Sequence, residues 1–192
     1  MTLLVTLLNK VMRDYIPLCV IAGIVIALDQ WTKFLVRTNL AIGEIWMPLD
    51  WLAPYARIIN WKNTGAAFGM LKNFGGVFSV LAIIVSAAIL YFYPQVPRQD
   101  KLLRLALGMQ LAGELGNLID RLVIGSVTDF ISVGTFPVFN VADSSISVGV
   151  VVLIGDMWLR ERRQKRAASL NGEQAQRETT PPSSPAPEGE RE

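Results

Sequence analysis

Four apolar runs, residues 16–36, 74–93, 102–124 and 137–159, decide what this chain can fold into. Each holds about 20 residues, enough at 1.5 Å per residue to cross a hydrocarbon core of about 30 Å. In lipid, every backbone polar group must find its partner within the segment, so such runs become helices. The pattern predicts an all-α integral membrane protein with four transmembrane helices. Residues 1–15 form a short N-terminal segment, and residues 16–160 form one membrane domain. The first run starts late, is longer than the apolar stretch of a removable signal peptide, and is followed by three more spans.

The distribution of positive charge orients the spans. Lys10 and Arg13 precede the first run, while Arg98, Lys101 and Arg104 lie in or beside the second connection. Arg160, Arg162, Arg163, Lys165 and Arg166 follow the fourth. The long first connection carries only Arg37, Arg57, Lys62 and Lys72, and the third carries no Lys or Arg. The positive-inside rule therefore puts both termini in the cytoplasm. No nucleic-acid-binding motif accompanies the basic clusters, so nucleic acid is not an expected partner. From about Ala167 the composition turns to Ser, Pro, Glu, Gln and Gly, which predicts a basic and then disordered cytoplasmic tail over residues 161–192.

Two absences narrow the chemistry. Cys19 is the single cysteine, so no internal disulfide can form, and packing is its expected role. The chain has no histidine, which removes Ser-His-Asp and Cys-His catalysis and the usual zinc sites. Hydrolytic chemistry must then run on carboxylates, lysine or serine.

Polar residues inside the apolar runs carry the functional signal, because a charge at mid-membrane costs roughly 2.5–3.5 kcal/mol on insertion scales. Asp29 and Lys33 share a helix face at i, i+4; they form either a structural ion pair with Lys33 snorkelling outward or part of a site. Residues 37–73 read as an outer segment, with Trp46, Trp51, Tyr55 and Trp61 suited to an aromatic belt and residues 57–62 to a short strand. The second run holds only Ser79 and Ser86 as polar side chains and reads as scaffold. In the third, Gly113, Asn117 and Asp120 follow i, i+4, i+7, and Glu114, Asn117 and Arg121 follow i, i+3, i+7. Gly113 and Gly116 would admit a neighbouring helix. The third connection, residues 125–136, has Asp129 as its one charge, and in the fourth run, opening at Pro137, Asn140, Asp143 and Ser147 share a face. Asp156, four before Arg160, reads as an interfacial ion pair.

With both termini inside, Asp29, Lys33, Asn63, Asn117, Asp120, Arg121, Asp129, Asn140 and Asp143 all fall at the outer ends of the spans. Their convergence predicts one site. Two carboxylates close together in a partly dry place share a proton, one activating water while the other polarises a carbonyl. Asn and Arg among the acids, with no histidine, disfavour a metal site. An ion-coupled carrier would also place carboxylates in membrane, but these gather at one side and no internal repeat is evident. A scaffold would use the same residues as helix-packing glue.

Five segments then carry a resemblance: Asp29-Gln30-x-x-Lys33, Asn63-x-Gly65-Ala66-Ala67-Phe68-Gly69, Gly116-Asn117-x-x-Asp120-Arg121, Val127-x-Asp129-Phe130 and Phe139-Asn140-x-Ala142-Asp143. Their order and spacing over about residues 15–160 resemble the lipoprotein signal peptidases, the signal peptidase II family. The resemblance implies a membrane-embedded aspartic endopeptidase of the bacterial inner membrane, its site toward the periplasm. It would remove signal peptides from diacylglyceryl-modified prolipoproteins, cutting before the lipidated cysteine. Asp129 and Asp143 match the catalytic pair. Asn63, Asn117, Arg121 and Asn140 match site-lining residues, and Asp29, Lys33, Asp120 and Gly65 match supporting ones. The resemblance also implies a small outer-side β element over residues 40–70, inhibition by globomycin, contact with membrane lipids, and no cofactor. Ala112-Gly113-Glu114 departs from the family's frequent Gly-Gly-Ala, which makes Glu114 an extra acid near the site.

Overall fold

The computed structural model describes residues 2–47, 49–52, 55–65 and 75–179. The Ala66–Gly69 part of the second motif and the proline-rich residues 181–187 lie outside the described residues. Four helices and three strands run in the order α1 (Thr2–Asn39), β1 (Ile45–Trp46), β2 (Ala56–Asn63), α2 (Gly75–Phe92), α3 (Lys101–Ile124), β3 (Val127–Val133) and α4 (Val141–Thr179). Two compact units divide the chain, Met1–Ile154 and Gly155–Glu192.

Among the described residues three helices are long and apolar enough to cross a membrane, over Met12–Asn39, Gly75–Gln95 and Val141–Asn171. The sequence pattern predicts a fourth span at 102–124, and the helix is there, but α3 carries Lys101, Arg104, Glu114, Asp120 and Arg121 along its length. Ten of its residues are buried, Arg104, Asn117 and Asp120 among them. The other helices are apolar outward: Val77, Val80, Leu81, Ile83 and Ile84 of α2 are all at least half exposed. That inside-out arrangement is what a lipid solvent favours.

The core lies where α1, α2 and α3 meet, built from Leu18, Ala22, Ile89, Leu111 and Ala112 with Tyr93, which follows α2. At that end Arg104 is buried, its guanidinium 4.2 Å from the Tyr93 ring centroid. It donates to the carbonyls of Val96 at 3.0 Å and Asp14 at 2.5 Å. A residue counted among the orienting charges is therefore a tie between α1, α3 and the turn after α2.

The strands form one antiparallel sheet in the order β1-β2-β3. β2 covers the strand expected at 57–62. β3 does not match expectation, since 125–136 reads as a connection. Gly125 ends α3 in the left-handed conformation at φ +79, its N–H on the Arg121 carbonyl, and the chain reverses at once into the strand. The β2–β3 register slips between Ile58 and Trp61, which sets Trp61 opposite Asp129 and Asn63 opposite Val127. Asn60, within the slip, donates from Nδ2 to the Leu40 carbonyl at 2.8 Å and ties the sheet to the end of α1.

α4 begins at Val141 and not at Pro137, because Phe139 first bridges to Ile131 and Asn140 caps the helix. The helix continues to Thr179, past Ala167, where the composition predicts loss of folded structure; Ala, Leu, Gln, Glu and Arg in that stretch are strong helix formers. In the second unit Asp156 accepts from Arg160 Nε at 2.7 Å, Lys165 pairs with Glu161, and Arg162 lies over the Trp158 ring.

α3 and α4 meet through Gly113. A Cβ there would overlap Ile146 Cγ1 and come 2.5 Å from the Ala142 carbonyl oxygen. Gly113→Ala is expected to force the helices apart and destabilise the protein by about 1–3 kcal/mol, seen as a lower Tm in detergent. An unchanged Tm would mean the contact is slack.

Candidate functional site

The site is assembled around one buried ammonium. Lys33 lies on α1 with Asp29 one turn earlier, and all of Lys33, Asp29 and Asp120 are 0% exposed. Lys33 Nζ is 2.8 Å from Asp29 Oδ2 and 3.4 Å from Asp120 Oδ2, and it donates to Asn117 Oδ1 at 3.0 Å. It does not snorkel: two carboxylates and an amide take up its donors, and no water-facing position is needed.

Each carboxylate then reaches onward. Asp29 Oδ1 accepts the N–H of Ala142 at 2.9 Å, holding the first turn of α4 against α1. Asp120 Oδ2 accepts the N–H of Thr128 at 2.9 Å, holding β3 against the end of α3. Gln30 Nε2 lies 3.1 Å from Asp29 Oδ2, 3.2 Å from Asp120 Oδ1 and 3.0 Å from the Gly116 carbonyl. Gly116 is needed there, for a Cβ would sit 2.8 Å from Asp29 Oδ2.

On this frame stand Asp129 and Asp143. Asn140 is the N-cap of α4 and Asp143 its third residue: Asp143 N–H donates to Asn140 Oδ1 at 2.9 Å, and Asn140 N–H donates to Asp143 Oδ2 at 3.1 Å. This reciprocal capping box locks the Asp143 carboxylate by backbone geometry. Asn117 Nδ2 donates to its other oxygen at 2.8 Å. Asn140 Nδ2 donates to Asp129 Oδ1 at 2.7 Å and to Asn117 Oδ1 at 3.0 Å, so this one residue holds Asp129 through its side chain and Asp143 through its backbone N–H. Asn63, diagonal to Asp129 across the sheet, donates to Asp129 Oδ2 at 2.9 Å, and the Gly65 N–H on Asn63 Oδ1 sets that amide's orientation.

Burial and the Asp143 charge push the Asp129 carboxyl up to about 7, against the opposing effect of the Asn63 and Asn140 hydrogen bonds and the Lys33 charge. Burial disfavours the ion and a like charge adds to it. Asp129 therefore exchanges a proton near neutral pH.

Arg121 is half-buried and stands apart from the hydrogen-bonded frame. Its strongest electrostatic partners are Asp143 and then Glu114, and its guanidinium lies 5.8 Å from the Phe78 ring centroid. With Thr64, Gly75, Gly76, Ser79 and Gly125 it lines a cavity of about 350 Å³. Among the described residues no group of three acidic or cysteine side chains is arranged to hold a metal ion.

Asp29, Lys33, Asn63, Asn117, Asp120, Asp129, Asn140 and Asp143 thus gather in one hydrogen-bonded frame, and Arg121 lies outside it. Sequence reasoning passed over Arg37, which donates to Asp120 Oδ1 at 3.3 Å, and Thr128. The alternation of β-branched and polar residues over 127–133 is the signal that would have marked β3 and its neighbours.

The chain is similar to known proteins along most of its length. The chain is 39% identical over 149 residues to the lipoprotein signal peptidase of Shouchella clausii, covering 77% of this chain and 97% of that one. To the lipoprotein signal peptidase of Desulfitobacterium hafniense it is 42% identical over 145 residues, 75% of this chain and 94% of that one. Two solved structures of a bacterial membrane enzyme, both 33% identical, superpose with TM-scores of 0.70 and 0.66. The first covers 77% of this chain and 90% of that chain, the second 73% and 91%. Fold, site and likeness define a multi-pass membrane protease. The chain belongs to the signal peptidase II family, whose model, described as signal peptidase (SPase) II, matches residues 21–159.

Lys33→Met would strip Asp29 of its buried counter-charge and leave Asp120 with Arg37 alone, an expected loss of about 3–5 kcal/mol. Lys165→Met, in the exposed pair with Glu161, should cost under about 1 kcal/mol. Thermal unfolding of the two variants in detergent makes the comparison, and a Lys33→Met protein as stable as wild type would show that the buried cluster contributes nothing.

Proposed function

We propose that this chain is a membrane-embedded aspartic endopeptidase that removes the signal peptide from diacylglyceryl-modified prolipoproteins, cutting before the lipidated cysteine. The observation that carries the reading is the pairing of Asp129 and Asp143 through one residue, Asn140, whose side-chain amide donates to Asp129 and whose backbone N–H donates to Asp143. The names of the relatives supply the substrate class. The four-span layout, both termini cytoplasmic and the site toward the periplasm belong to this reading, and so do the site-lining roles of Asn63, Asn117, Arg121 and Asn140.

The chemistry balances on the two carboxyls. The ionised member takes a proton from water as the water oxygen attacks the scissile carbonyl, and the protonated member passes its proton to the carbonyl oxygen. The tetrahedral intermediate collapses by returning that proton and breaking the C–N bond. The electron pair goes to nitrogen, which takes up the proton abstracted from water. Burial makes Asp129 the member suited to hold the shared proton at neutral pH. A substrate anchored by acyl chains brings its cleavage point to the membrane surface, where the outer ends of α1, α3 and α4 would meet it. Globomycin-type inhibition follows from the same reading.

The test is cleavage of a diacylglyceryl-modified prolipoprotein by purified wild type, Asp129→Asn and Asp143→Asn, each first shown to be folded. Wild type should cleave, and each variant should lose at least about 10³-fold in rate. Near-normal cleavage by either variant would remove that residue from the mechanism. A wild type inert on lipidated substrate would bring the carrier or scaffold reading forward.

The pH dependence has a definite sign. Asp129 is protonated below about 7 and ionised above, so kcat/KM should fall as pH rises through about 7. A rate that stays flat from pH 6 to 9 would mean the proton on Asp129 is not needed.

A further inference from the structure

Asp129 rides on β3, and its aim depends on how that strand is fixed. The residue just before it, Thr128, is buried and is held at three points. Its N–H donates to Asp120 Oδ2 at 2.9 Å, its carbonyl accepts from Asn140 Nδ2 at 3.4 Å, and its hydroxyl accepts from Arg37 Nη1 at 3.2 Å. The same Nη1 donates to Asp120 Oδ1 at 3.3 Å. An Nη group has two hydrogens, one for each acceptor. Arg37, in the last turn of α1, thus closes a ring: guanidinium to carboxylate, carboxylate to the Thr128 amide, and the Thr128 hydroxyl back to the guanidinium. Successive strand side chains point to opposite faces, so the face of β3 that Thr128 presents to Arg37 is the reverse of the one that carries Asp129.

Resting on the peptidase reading above, we infer that Arg37 and Thr128 are positioning residues that clamp β3 and thereby aim the Asp129 carboxylate at Asp143. Neither touches a reacting atom. Neither is among the defined positions of the five motif segments, where Thr128 falls on an undefined position and Arg37 outside all five. The clamp is this chain's own way of stiffening a strand whose other partner, β2, is interrupted by a register slip. Arg37 is 27% exposed, so it can be replaced without opening the core. A displacement of about 1 Å in a reacting group is enough to cost about 10²-fold, so a loosened strand should register in turnover before it registers in stability.

The experiment compares wild type with Arg37→Gln, Thr128→Val, Thr128→Ser and the Arg37→Gln/Thr128→Val double variant. Each is assayed on diacylglyceryl-modified prolipoprotein, and amide hydrogen exchange is followed over residues 127–131. Arg37→Gln and Thr128→Val should each lower kcat about 10-fold with KM changed less than about 2-fold. Thr128→Ser, which keeps the hydroxyl, should retain at least about half the wild-type kcat. The double variant should be no worse than the poorer single one, because both remove one contact. Exchange over β3 should quicken in Arg37→Gln. Wild-type kcat and exchange in Arg37→Gln, or losses that multiply in the double variant, would overturn the inference. A wild type that fails to cleave overturns the peptidase reading and the catalytic half of this inference with it, and exchange then still decides whether Arg37 holds the strand.

Discussion

One buried positive charge makes the rest of the site possible. Lys33 sits fully enclosed between Asp29 and Asp120 as the counter-charge that the two buried acids share. Each acid in turn accepts a backbone N–H: that of Ala142 in the first turn of α4, and that of Thr128 in β3. The ammonium therefore fixes, at second hand, the two elements that carry Asp143 and Asp129. Buried ion clusters contribute little net stability compared with apolar packing, but they penalise every arrangement that separates their members. Here that penalty selects a single relative placement of α1, α3, β3 and the start of α4.

The two carboxylates are held by different means, and the difference has chemical meaning. Asp143 is tied by both oxygens, to Asn117 and to the Asn140 N–H, inside a helix cap. Asp129 takes two amide donors, from Asn63 and Asn140, on a strand whose register slips a few residues away. Asn140 links the pair, with its side-chain amide on Asp129 and its backbone N–H on Asp143, so a shift of one carboxylate is transmitted to the other through one residue. Burial raises the proton affinity of Asp129 while its amide partners lower it, and the balance lands near neutrality.

Much of this was legible in the sequence. The apolar runs located the long helices, and polar residues at i, i+3, i+4 and i+7 marked the faces of α3 and α4 that meet. Spacing shows only which residues share a face, not what lies opposite, so the Asp29–Lys33 pair was visible while its closure by Asp120 and Asn117 was not. β3 was hidden because it lies between two apolar runs, where a connection is the default reading, and because its polar alternate positions lower the apolar signal. Arg104 was read as an orienting charge and Arg37 only as one of the few cations of the long first connection, although both bind specific partners. The long extension of α4 could not be read from a composition that is polar throughout.

α3 holds the residues that bind everything together, and for that reason it is the long helix least able to enter lipid on its own. Asp120 finds its partners on α1 and β3, and Arg104 finds its own on α1 and the turn after α2. As the chain is synthesised, α1 and α2 precede α3. The order of elements thus places the helix that carries the counter-charge for Asp120 ahead of the helix that needs it.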